Sequence, residues 1–203
     1  MPIVNGYTTL AAIKAVKRIG SSDANDDEFI EDLINAASRY IDNASGRRFH
    51  TTTADETRYF SSETGGVVYP GDLLSITTLK TDEDGDRTYE VTWATTDYDL
   101  LPDNAALNGR PYVSIELAPN GRYSFPTQRR SVQIVGKFGF STTAPADIAK
   151  ACQDIVITAY QNRYGINTQG AATITAAGVV ITPQDIPAGA VAIINSYRGD
   201  LLP

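Results

Sequence analysis

The chain has 203 residues, of which 42% are hydrophobic and 20% charged; that composition supports a packed core, argues against global disorder, and fits either one domain or a small helical unit carrying a β insertion. The net charge of −7 is spread without a block of like charges, and no basic stripe of the kind that grips nucleic-acid phosphates is present. A single cysteine, Cys152, excludes an internal disulfide framework and a multi-cysteine zinc site and fits a reducing compartment.

The opening M-P-I-V-N-G-Y has neither the basic nor the apolar region of a signal peptide, and no run approaches the roughly 18 apolar residues needed to cross a bilayer. The expectation is a soluble chain, intracellular at synthesis, with no membrane partner. Thr8 or Thr9 is placed to cap a short helix through Leu10, Ile13 and Val16, with Gly20 as its stop. S-S-D-A then turns the chain into a second helix, making an αα-hairpin.

That second helix is the strongest local signal in the sequence. Between Asn25 and Phe49, the residues Phe29, Ile30, Leu33, Ile34, Ala37, Tyr40, Ile41 and Ala44 recur at one-, three- and four-residue steps, which lays one apolar stripe along a helix. Asn25 suits the N-cap, Glu28 the capping-box position, and Asp26 and Asp27 the positive end of the dipole. Gly46 suits the left-handed residue that ends the helix, followed by Arg47 and Arg48 at its negative end.

From about Thr57 to Phe140 the chain is rich in Thr, Val, Tyr and Ile and broken by turn dipeptides, which predicts antiparallel strands in a meander or small barrel. The candidates are Thr57 to Phe60, Leu73 to Thr81, Thr88 to Trp93, Tyr112 to Leu117, Arg122 to Phe125 and Ser131 to Phe138. Asp84-Gly85 and Asn120-Gly121 suit tight turns, and Asn108-Gly109 marks a further loop. In V-Q-I-V-G-K-F-G-F, Val132, Ile134 and, after a break at Gly136, Phe138 define one buried face.

At Pro145, placed for a first helical position with Asp147 in the first turn, the helical period returns. Ile148, Cys152, Ile155, Val156, Ala159 and Tyr160 form its stripe, and Gly165 is the expected stop. A charge-poor stretch follows as an arm or weak hairpin, then a short helix from Pro187 to Arg198 before Gly199. The expected class is therefore α+β: about four helices in a small bundle formed by 1–49 and 141–165, a β insertion over 50–140, and an extended C-terminal arm over 166–203.

Few residues carry the signature of reaction chemistry. His50 is the sole histidine and reads as a surface or boundary residue, since nothing local supplies a nucleophile or an orienting group. Cys152 lies on an apolar helix face, as core cysteines do. Asp82, Asp84 and Asp86 alternate like the start of an EF-hand, but the sixth and twelfth places hold Arg87 and Trp93 instead of Gly and Glu; a solvated hairpin tip is expected. Gly136, Lys137 and Gly139 match no nucleotide-binding motif. No catalytic residue, metal site or cofactor is assigned.

Asp26, Asp27 and Glu28 at one end of the second helix, against Arg47 and Arg48 at the other, are the candidate subunit interface. Head-to-tail packing of identical chains would bring these ends together, and heterologous contacts that close make rings. The simpler reading is solvent-side compensation of the helix dipole.

Several stretches taken in order resemble the head–tail connector, or adaptor, proteins of long-tailed phages. They are D-D-E-F-I-E-D-L-I-N-A-A-S-R-Y-I-D-N-A-S-G-R-R-F (26 to 49), D-Y-D-L-L-P-D-N-A (97 to 105), V-Q-I-V-G-K-F-G-F (132 to 140), P-A-D-I-A-K-A-C (145 to 152), Tyr160 and Arg163. The resemblance implies a structural virion protein at the head–tail interface, assembled in the host cytoplasm. It implies a homo-oligomeric ring of about twelve copies that meets the portal protein and a stopper or tail-completion protein, with DNA passing through without sequence-specific binding.

For partner docking the candidates are Ile193, Ile194, Tyr197, Arg198, Leu201 and Leu202; a helix folded back to complete its own subunit's core is the alternative for the same tail. The competing function is a non-enzymatic binding module whose β domain recognises a protein or carbohydrate through Tyr59, Tyr69, Tyr89, Trp93, Tyr98, Tyr112 and Tyr123. A hydrolase using scattered carboxylates has no support in their spacing.

Overall fold

The computed structural model describes residues 2–163, 173–175, 178–180 and 186–198. In chain order they form α1 (Leu10–Lys17), α2 (Asp27–Ser45), β1 (Glu56–Phe60), β2 (Val67–Val68), β3 (Leu73–Thr81), β4 (Val91–Thr92), β5 (Tyr98–Leu101), a 3-10 turn (Ala106–Asn108), β6 (Ser114–Leu117), β7 (Val132–Phe138), α3 (Ala146–Arg163), β8 (Thr173–Thr175), β9 (Gly178–Val180) and α4 (Ala188–Ser196). The chain divides into two compact units, Met1–Arg47 with Ala144–Pro203, and Arg48–Thr143. The fold is α+β.

In the helical unit, α2 and α3 bury the stripes read from the sequence: Ile30, Leu33, Ile34, Ala37 and Ile41 on one helix, Ile148, Cys152, Ile155, Val156 and Ala159 on the other. They run antiparallel, since Phe29 at the start of α2 meets Tyr160 at the end of α3 and Ser38 meets Cys152 near the middle of both. Thr9 caps α1 by accepting the Ala12 N–H. The expected stop at Gly20 is moved forward: Arg18 takes the left-handed conformation at φ 57°, and the N–H groups of Arg18 and Ile19 donate to Ala15 and Lys14, satisfying the last carbonyls two residues early.

The start of α2 also differs from expectation. Asp26, not Asn25, holds the N-cap position, and its side chain makes no capping bond. The reason is competition: the Asp26 carboxylate accepts the Tyr160 hydroxyl at 2.6 Å, while Asn25 is held by its own N–H donating to Asp23. Gly46 ends α2 in the left-handed conformation, as expected. The N-terminal segment is fastened along α2, where Ser38 Oγ accepts the Tyr7 N–H and donates to the Ile34 carbonyl, Asn35 accepts from Val4, and the Tyr7 hydroxyl donates to Asp42.

The strands of the other unit form a four-stranded sheet in the order β1-β7-β3-β4 and a three-stranded sheet in the order β2-β6-β5, all antiparallel. Among the described residues no barrel closes, and β7 enters between β1 and β3 instead of extending a meander. The core is a cluster of Val68, Leu73, Leu79, Trp93, Tyr98, Ile115, Phe125, Val132, Ile134 and Phe138. Trp93 stacks on Phe125 with centroids 4.5 Å apart and donates its indole N–H to Thr81 at 3.0 Å, so its polar edge is satisfied inside the core.

Two strand predictions need correction. Thr88 to Trp93 narrows to Val91–Thr92, because Arg87 at φ 75° and the Thr88 N–H donating to Asp86 spend the preceding backbone on the turn. Arg122 to Phe125 forms no strand; Phe125 N–H reaches only the Gly65 carbonyl, and its ring fills the core. Conversely, β2 and β5 were not expected. The break at Gly136 has a clear cause: a Cβ there would lie 2.1 Å from the Ser75 carbonyl oxygen, beside the bulged register of β3 against β7.

Candidate interaction surfaces

The residues singled out for reaction chemistry are occupied structurally. Cys152 is fully buried, and burial pushes its thiol up to about 11, against the smaller downward pull of the Ser38 hydroxyl; a nucleophile needs the opposite shift. His50 is half-buried at the edge of the β unit. Four carboxylates, Asp82, Asp84, Asp86 and Glu90, bring oxygens within 4.8 Å of one another.

Hydrogen bonding in that cluster shows what it does. The two Asp82 oxygens accept the N–H groups of Gly85 at 2.7 Å and Arg87 at 2.9 Å, Asp84 accepts from Asp86, and Asp86 from Thr88. Burial raises the Asp82 carboxyl; those two backbone donors, a hydrogen bond with Asp84 and the Arg87 charge together outweigh it and hold the group below its ordinary value. The cluster shapes the β3–β4 turn around Gly85, the bend expected from the sequence.

An open depression of about 420 Å³ is lined by Pro102, Asp103, Ala105, Asn108 and Arg110, a set with no paired acid and base. Of the seven aromatic residues considered for recognition, Trp93 and Tyr98 are buried in the core, whereas Tyr59, Tyr69 and Tyr123 are exposed. Tyr123 packs on Trp93 and Tyr59 on Tyr89, so those two rings are already held by aromatic neighbours.

Four of the five candidate interface residues have identified partners inside the chain. Asp26 accepts from Tyr160, and Asp27 pairs with the buried Lys14 at 2.5 Å. Arg47 Nε donates to the Tyr197 carbonyl at 2.7 Å, while Arg48 donates to Glu56 at 2.9 Å and to the Phe138 carbonyl. Glu28 is exposed. These internal partners leave no local trace in the sequence, because each lies far along the chain or on another element.

Among the docking candidates, Ile194 is 2% exposed on α4, which packs against α3 and α2. Ile193 and Tyr197 are half-buried and Arg198 is exposed; Leu201 and Leu202 lie outside the described residues. Tyr197 braces α4 to the start of α3 through its hydroxyl, which donates to Asp147 at 2.8 and 2.9 Å. Thus α1 is tied to one half of the α2–α3 pair by Lys14–Asp27 and by Lys17 over the Tyr160 ring, and α4 to the other half by Arg47, Tyr197 and Asp147. Among the described residues no helix is long and apolar enough to cross a membrane.

No protein-family model matches the chain, and no curated protein matches it. Among solved structures, it is similar to a chain of the neck of an empty GTA particle computed with C6 symmetry, at 15% identity and a TM-score of 0.57, covering 98% of this chain and 92% of that one. The likeness extends over both units and shows a shared fold.

Proposed function

We propose that the chain is a structural virion component of the head–tail connector class. In this reading it forms a ring beneath the portal, extends the DNA channel and presents a docking site for a stopper or tail-completion protein. The observation that carries the proposal is the fold likeness to a particle-neck chain over 98% of the sequence. The helical unit of α1 to α4 is the adaptor core, and the β unit is an elaboration carried on it.

The physical chemistry is compatible with such a role. Cys152 is buried and the Asp82 cluster shapes a turn, and an acidic chain makes contact with passing DNA repulsive and therefore non-adhesive. Reversing Arg47 or Arg48 also breaks bonds inside the subunit, so charge reversal at the ends of α2 is read beside the thermal unfolding of each variant. The direct test is to incubate the full chain with the portal of the same particle and image the product. Ring-shaped density added to the portal is expected; no added density and no co-purification would remove the proposal.

A further inference from the structure

The helix α4, A-G-A-V-A-I-I-N-S, carries no charged side chain, yet only Ala190 and Ile194 are buried. Val191 is 37% exposed, with Ala188 and Ala192 exposed beside it. The polar residues of α4, Asn195 and Ser196, are exposed at its last turn, but over Ala188 to Ile194 it is apolar on every side; such a stretch is ordinarily enclosed, and a helix of nine residues draws its stability from packing, not propensity. A second apolar face lies on α1, where Val16 is 57% exposed and Ala11 and Ala15 stand exposed one turn apart.

These faces are unlike in sequence and belong to opposite halves of the α2–α3 pair, whose α2 alone is about 28 Å long. Two unlike faces on one subunit are what a heterologous contact requires; a two-fold contact would need one face complementary to itself. Their rims differ in charge as well. Arg198 stands exposed just past α4, and Asp23 and Glu28 stand exposed at the α1 end, together with Arg18.

Resting on the ring reading above, we propose that the α4 face of one copy, centred on Val191, seats on the α1 face of the next, centred on Val16. Arg198 then falls on the acidic rim formed by Asp23 and Glu28. The occupant of each face is a second copy of this chain, and repetition of the contact closes the ring.

Paired cysteines in the full chain test this, with Cys152 too buried to interfere. The variants are Val16→Cys, Val191→Cys and the double variant, checked for unchanged thermal unfolding and oxidised at high protein concentration. The contact predicts no dimer from either single variant alone, a dimer from the mixture of the two, and a ladder of higher species from the double variant. Glu28→Arg should weaken the ladder at least tenfold, and adding Arg198→Glu should restore it.

A dimer formed by one single variant with itself would show a two-fold contact and overturn the proposal. So would absence of a ladder, or a Val191→Cys thiol shielded from reagent in the monomer, which would mean that the chain covers its own α4. Rings seen on the portal without cross-linking would sink the α1–α4 contact and leave the connector reading intact; a ladder without portal binding would do the reverse.

Discussion

Replacing Gly136 by alanine is the sharpest probe of the β unit. The added Cβ would lie 2.1 Å from the Ser75 carbonyl oxygen and 3.1 Å from the Ile76 Cα, both backbone atoms, so no side-chain rotation relieves the clash. β7 is paired on both edges, with Glu56 opposite Gly136 on β1 and Ile76 opposite it on β3, and shifting it loosens two ladders at once. Overpacking of a fixed core costs about 1–3 kcal/mol, and a contact this short against backbone belongs at the upper end, about 2–3 kcal/mol. With a urea dependence of about 1–3 kcal/mol per molar, the midpoint should fall by roughly 1 M.

The assay is internal to the molecule. Trp93 is the only tryptophan and lies in the core of the β unit, so its fluorescence follows that unit, while circular dichroism at 222 nm is dominated by the helices. Gly136→Ala should move the fluorescence midpoint by that amount, whereas Gly189→Ala, whose Cβ meets nothing within 4 Å, should leave it unmoved. A fluorescence shift below about 0.3 M would refute the argument that backbone proximity fixes this glycine.

Tyr160→Phe deletes the hydroxyl that donates to Asp26 and should cost about 1.5–3 kcal/mol, the range for hydrogen bonds to charged groups, read as a lower thermal midpoint at 222 nm. The Cys152 thiol should react with a disulfide reagent at pH 8 at least a hundredfold more slowly in the native protein than in urea; rapid native labelling would contradict its burial. Glu56 is raised by burial and lowered further by hydrogen bonds from Arg58 and Arg48, ending below its ordinary value, and Asp82 is also lowered. Their contribution is therefore present above the ordinary carboxylate range and lost as pH falls through the lowered values, below about pH 4. Urea titrations followed by Trp93 should show this loss, with a shallower acid slope in Glu56→Gln.

What the sequence revealed was local. The stripes of α2 and α3, the left-handed Gly46 and the turn at Gly85 each depend on neighbours within a few residues, so periodicity and turn chemistry sufficed. The misses have longer reach. Asp26 is drawn from capping by Tyr160, which is 134 positions away. β2 has two residues, too few for any period, and β5 is defined by its partner β6. Arg18 in a left-handed role broke the rule that favours glycine there, and the contacts that occupy Arg47 and Arg48 are set by tertiary placement.

The helical unit is discontinuous, and that has a cost during synthesis. The stripe on α2 is complete once Ser45 has been made, but the helix that covers it begins at Ala146, roughly a hundred codons later. At about 5–20 residues per second, Leu33, Ile34 and Ile41 await their cover for roughly 5–20 s after leaving the ribosome. In that interval the nascent chain offers a greasy ridge to chaperones and to its neighbours on the same message, so yield should respond to translation speed between these helices.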